Sequence, residues 1–86
     1  MWIVELSLEA TPERLSARPE HRRHLTELHG QGVVRMAGPL ADDTAAVVVL
    51  DVPDRPAVDA VLAGDPYFTT PGVTVGQIRE WLPFVQ

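Results

Sequence analysis

Residues 45–50 read Ala-Ala-Val-Val-Val-Leu, apolar at every position. The run is far shorter than the roughly 18 residues of a membrane span. Its β-branched side chains make it a strand, and one buried on both faces. A strand without a polar side belongs inside a sheet covered above and below. The chain has only 86 residues with which to supply that cover, enough for one domain. A chain this short buries only about 60–65% of its unfolded surface, so a second subunit would help to complete it.

The flanking segments supply one layer of cover. Residues 2–8 alternate, with Trp2, Val4, Leu6 and Leu8 facing one way, which predicts a strand. Thr11-Pro12-Glu13 suits a short helical turn, Thr11 as N-cap and Pro12 as its first residue. Pro19 interrupts a helix continuing from there. The main helix is therefore expected to start at Pro19 and to end near Gly30 or Gly32. Its apolar stripe is 21, 24/25 and 28, with Arg22, Arg23, Thr26 and Glu27 on the opposite face. Residues 33–38 form a second strand, closed by Gly38-Pro39, and the apolar run lies in a third, 44–52. Asp54 caps a short helix over 55–63, with Val58, Val61 and Leu62 inward and Gly64 as its stop. Asp65 to Gly72 is a loop, and 73–82 a fourth strand with an apolar tail.

The order is β-α-β-β-α-β, the split βαβ pattern of a ferredoxin-like α+β sandwich. Right-handed crossovers make strands 1 and 2 parallel with strand 3 between them, and place strand 4 beside strand 1. Both helices then cover one sheet face. The other face carries the outward half of the apolar strand, which predicts a homodimer joined through the open face.

Composition excludes several chemistries. Cys, Lys and Asn are absent. There are therefore no disulfides, thiolate nucleophiles or zinc fingers, and no phosphate-binding or Schiff-base lysine. A net charge of −5 argues against nucleic acid or an anionic membrane as partner. Without a membrane span or a basic signal segment, the chain reads as cytoplasmic. Abundant Ala, Val, Arg and Pro beside these absences suggests a bacterial source with a GC-rich genome.

The topology brings the start of helix 1, Gly38-Pro39, the Asp42-Asp43 turn and Asp65-Pro66-Tyr67 to one sheet edge. His21, in the expected first turn of helix 1, shares the inward stripe with Leu25 and Leu28. Partial burial and the positive helix end both favour its neutral form, which can act as a base near pH 7. A carboxylate, Asp65, Asp42 or Asp43, would fix its tautomer. A His–Asp dyad without a serine or cysteine nucleophile suits proton transfer on a small molecule. The plainer alternative is a histidine satisfying hydrogen bonds at a helix start, with Asp65 bonding backbone amides in a turn. Arg18 sits at the mouth of the cleft, as a carboxylate or phenolate clamp or as a solvated surface residue. Tyr67 is core with its hydroxyl at the cleft, and backbone near Gly38 and Pro39 can approach an oxyanion. His21 and His24 with an Asp would make a weak metal set, and no metal or other cofactor is expected. His29 sits near the helix C-terminus, where its charged form suits the dipole.

Together these segments resemble the YCII (YciI-like) family. The matching pieces are Arg18-Pro19-x-His21, Leu28-His29-x-x-Gly32, Ala37-Gly38-Pro39-Leu40 and Asp65-Pro66-Tyr67, then Gly72-Val73 and the last strand. The resemblance implies a dimeric α+β barrel and an active site built on a His–Asp pair, which falls here on His21 and Asp65. It also implies cofactor-free proton transfer, since one activity of such proteins is dehydrochlorination of a chlorinated hydroxyquinol. The stretch before strand 3 is shorter than in many members, and Phe68-Thr69-Thr70-Pro71 replaces the usual small residues after Asp65-Pro66-Tyr67. The expected function is an isomerase- or lyase-type enzyme acting on a small, aromatic or acidic substrate. His21 would be the acid/base and Asp65 its orienter, with Arg18, Gly38, Pro39 and Tyr67 binding substrate. The alternatives are a non-catalytic ligand-binding or accessory domain and, more remotely, a haem or antibiotic-type monooxygenase of the same architecture.

Overall fold

A computed structural model describes residues 1–86. β1 (Trp2–Leu8) alternates as its sequence requires, burying Val4, Leu6 and Leu8. It is followed by α1 (Pro12–Gly30), β2 (Val34–Pro39), β3 (Ala45–Leu50), α2 (Arg55–Ala63), a 3₁₀ turn (Pro66–Thr69) and β4 (Val73–Glu80). The sheet order is β2-β3-β1-β4, and every neighbouring pair is antiparallel. This is the ferredoxin-like arrangement expected from the element order.

The register explains how β3 is used. Val4 lies opposite Val48 and Ile78, and Trp2 opposite Leu50. These residues share the helix-covered face, where Val4 and Leu50 are fully buried. The outward residues of β3 meet Ile3, Glu5 and Ser7, with Val49 opposite Ile3 and Met36. Helix α2 adds Val58, also fully buried, to the same core, with Val61 and Leu62 packed against it. Asp54 caps α2 by accepting from the Ala57 N–H at 3.0 Å.

The main departure from the sequence reading is α1. It does not start at Pro19 but runs unbroken for 19 residues from Pro12, with Pro19 inside. Proline removes one helical hydrogen bond and crowds the carbonyl four residues back, at a cost of about 3 kcal/mol. Leu15 and Pro19 both lie on the exposed side, so the unpaired Leu15 carbonyl can be hydrated. The preceding turn is held by two anchors. Thr11 accepts from the Arg14 N–H at 3.1 Å and donates its hydroxyl to the Pro71 carbonyl at 2.5 Å. The Arg14 side chain, 1% exposed, is buried under the helix. His21 therefore sits in mid-helix, well away from the positive helix end.

Smaller departures concern boundaries. Each of the last three strands differs by one or two residues from its expected range, and the segment after Asp65 winds into a 3₁₀ turn. No helix is long and apolar enough to cross a membrane.

The Thr11 anchor depends on Gly72. Its φ of +98° belongs to the region that favours glycine. A Cβ there would collide with Thr11 Oγ1 and stand 2.9 Å from Thr11 Cγ2 and 3.0 Å from the Glu9 carbonyl. Gly72→Ala should thus combine backbone strain with loss of the α1 cap, destabilising the protein by about 1–3 kcal/mol. Chemical denaturation of the two proteins measures this, and an unchanged midpoint would refute the anchor.

Candidate functional site

With α1 continuous, residues 14, 18, 21 and 25 form one stripe spaced by four, three and four, a single helical face. The face looks onto β2 and β3 across a cleft of about 600 Å³. Its floor is apolar, with Leu6, Leu8, Ala46 and Val48 from the sheet. The size lies within the usual range for small-molecule sites, about 300–1,000 Å³.

At one end, His21 meets the segment after α2. His21 is 8% exposed and Asp65 6%. The imidazole Nδ1 stands 2.6 Å from Asp65 Oδ2. An ionised carboxylate only accepts, so Nδ1 carries the proton and donates it. The other Asp65 oxygen accepts from the Tyr67 N–H at 3.0 Å, capping the 3₁₀ turn. Asp65 thus serves both the turn and the histidine, one oxygen for each. Asp65 makes both of the contacts that the sequence left open, to the imidazole and to a backbone amide.

This tautomer leaves the Nε2 lone pair unprotonated. Nε2 makes no hydrogen bond within the protein, yet no buried side-chain nitrogen or oxygen lacks a partner. Nε2 therefore reaches solvent, and His21 lines the cleft. The Tyr67 ring stacks on the imidazole, with centroids 3.8 Å apart and planes inclined by 10°. Phe68 meets the imidazole edge-on at 5.3 Å. Burial pushes the His21 pKa below its ordinary value, against the opposing hydrogen bond and charge of Asp65. Neutrality here comes from desolvation, and the helix dipole expected to favour it is not at hand.

Arg14, which the sequence reading passed over, completes the arrangement. Its Nε donates to the Glu9 carbonyl at 2.6 Å, one terminal nitrogen to Asp43 at 2.8 Å, and the other to the Tyr67 hydroxyl at 3.4 Å. The Tyr67 hydroxyl and the Asp43 carboxylate both favour charged Arg14. In return Arg14, reinforced by the fields of Arg18 and Arg22, holds the Asp43 carboxyl below its usual range. Asp43 adopts a positive φ of 59°, a conformation that Asp tolerates better than most residues. The signal for Arg14 was its place seven residues before His21. It is visible only once the helix is carried through Pro19.

The other expected site residues are placed as follows. Arg18 lines the cleft, 3.5 Å from Asp43. Gly38 and Pro39 line it from β2. Of the three candidate partners for His21, Asp65 is the one in contact. Asp43 faces arginines, and Asp42 accepts from the Thr44 amide and hydroxyl. Arg22 and Thr26, expected on the face opposite the stripe, are exposed and also line the cleft. No three His, Asp or Glu residues converge as a metal set, so His21 and His24 lack a third ligand. His29 Nδ1 donates to the Val34 carbonyl at 2.8 Å, tying the end of α1 to β2.

Residues 2–82 match the family model of the YCII-related domain. No curated protein matches the sequence.

The pair has a pH signature. The unfolded ring titrates near 6.5, and the folded one lower. Below about 6.5 the unfolded state binds the proton more readily, so stability from the neutral buried ring is complete above that pH and is lost as pH falls. Histidine NMR should place the His21 midpoint below 6.5 in the intact protein. Asp65→Asn removes the charge that opposes the shift and should move it lower still. A midpoint that rises in the variant, or an unshifted one in the parent, would contradict this account.

Proposed function

The chain belongs to the YCII-related domain family, and on that premise we propose that it is a small cofactor-independent enzyme of isomerase or lyase type. The observation that carries the reading is the buried His21–Asp65 hydrogen bond, with Nε2 open to the cleft. The bond holds one ring nitrogen protonated and so leaves the other as a base.

In this reading Nε2 takes a proton from an acidic C–H of the substrate. The electron pair left on carbon either spreads into an adjacent carbonyl or expels a leaving group from the neighbouring carbon. In isomerisation the imidazolium returns the proton to a second carbon. In elimination the proton is released to solvent. Asp65 stabilises the transient imidazolium. The Tyr67 hydroxyl accepts from Arg14 and keeps its own proton for a substrate oxygen. Arg18 binds an acidic or phenolic group, and the β2 backbone at Gly38 and Pro39 flanks the substrate. Neutral His21 suits this task, because a base near its operating pH needs no activation beyond orientation.

The partner of the open sheet face is proposed to be a second copy of the chain. Ile3, Val47 and 65%-exposed Met36 lie on that side, and an apolar patch there suits a self-complementary contact. Val47→Asp should halve the mass measured by light scattering, with the fold retained. An unchanged mass would remove this reading.

The catalytic reading is tested by proton exchange. Small aromatic and carboxylic carbonyl compounds incubated with the protein in D₂O should lose their acidic C–H signal in ¹H NMR. His21→Gln should slow this by about 10²–10⁴-fold. Asp65→Asn should also slow it. With its oxygen kept on the Tyr67 amide, the new NH₂ faces Nδ1 and forces the proton onto Nε2. Equal exchange by His21→Gln would end the assignment. Saturable binding without exchange or turnover would favour a ligand-binding domain.

A further inference from the structure

The charge of the cleft opposes that of the chain. The protein carries a net charge of −5 with seven arginines. Four of these, Arg14, Arg18, Arg22 and Arg35, line the cleft against a single acid, Asp43. Like charges gathered in a concave, apolar-floored site repel one another and focus a positive potential on whatever enters.

The four are not equivalent. Arg14 is spent on the Glu9 carbonyl, Asp43 and Tyr67. Arg35 faces Asp51 at 3.7 Å. Arg18 has only a 3.5 Å contact with Asp43, which Arg14 already engages at 2.8 Å. Arg22 has no acidic partner and no side-chain hydrogen bond. Its neighbour Arg23, on the outer face, is paired with both Glu20 and Glu27. Glutamates thus neutralise the outer arginine, and the cleft-facing one is left unmatched. Arg18 and Arg22 are one turn apart, about 6 Å along the axis, and His21 lies between them in sequence.

We infer that Arg18 and Arg22 form an oxyanion subsite, and that the substrate is a small organic acid with an apolar body. Its carboxylate, or a phosphate in the same place, is bound by the two guanidinium groups. Its body rests on Leu8 and Val48, and its reacting carbon lies within about a helical turn of His21. Arginine suits this because its planar fork meets carboxylate and phosphate oxygens two at a time. The inference rests on reading the cleft as the substrate site. It adds a second guanidinium to the one assigned to Arg18, and in Arg22 a specificity residue with no hydrogen bond to the His21–Asp65 pair.

The test is an amide-detected NMR titration of the full chain with benzoate, with neutral benzamide and with inorganic phosphate. Benzoate is expected to bind saturably with shifts clustered at Arg18, His21 and Arg22, more weakly as salt is raised, and benzamide not to. Arg22→Gln should weaken benzoate at least about tenfold, while Arg23→Gln leaves it within about twofold. Phosphate binding in place of benzoate would identify the anion as a phosphate on the same arginines. Equal binding of benzamide, equal loss in Arg23→Gln, or no saturable binding of either anion would overturn the subsite. Exchange activity surviving in His21→Gln while Arg22→Gln loses benzoate would overturn the base assignment and leave the anion subsite standing.

Discussion

The buried guanidinium of Arg14 is the interaction on which the site depends. It binds the Glu9 carbonyl beyond β1, Asp43 in the turn between β2 and β3, and the Tyr67 hydroxyl after α2. Three segments that converge on one sheet edge are thereby tied to the first turn of α1. A charge 1% exposed is tolerated only when its donors are matched, and here a carboxylate, a carbonyl and a hydroxyl match them. The same bonds secure the helical turn before Pro19, without which α1 would begin later and the stripe from Arg14 to Leu25 would be cut.

From that anchor the chemistry follows by packing. Tyr67, held by Arg14, stacks on His21. Asp65, held in its turn by the Tyr67 amide, meets Nδ1. The imidazole is stacked on Tyr67 and bonded at one nitrogen, and its burial favours the neutral ring with one lone pair free. Burial and Asp65 act on its proton affinity in opposite directions, and burial prevails. The outcome is a buried, largely desolvated histidine held by one carboxylate in a domain of 86 residues.

Much of this was legible in advance. Alternation in residues 2–8, the apolar run at 45–50 and the Asp54 cap predict elements that the structure contains, because each is a local or single-face property. His21 was legible beside a set of three aspartates, Asp42, Asp43 and Asp65, because the element order brings their segments to one edge. The Pro19 boundary was misread because a local rule, the missing N–H, was outweighed by long-range anchors on the preceding turn. Arg14 was missed for the same reason, because shortening the helix removed it from its face. Arg22 lies within the expected helix and is exposed, and its place at the cleft follows only from the packing of α1 on the sheet.

By itself, the sequence determined the strand order, the inward stripe of α1, the absence of thiol and lysine chemistry, and the family to which the chain belongs. These rest on periodicity, composition and short motifs, which need no knowledge of distant contacts. Tertiary structure alone decided that α1 passes through Pro19, that Asp65 and neither Asp42 nor Asp43 meets His21, and that four arginines share a cleft in an acidic protein. Each of those is a balance between a local cost and a long-range contact. Strain, desolvation and charge repulsion are offset only once segments more than forty residues apart have been packed together.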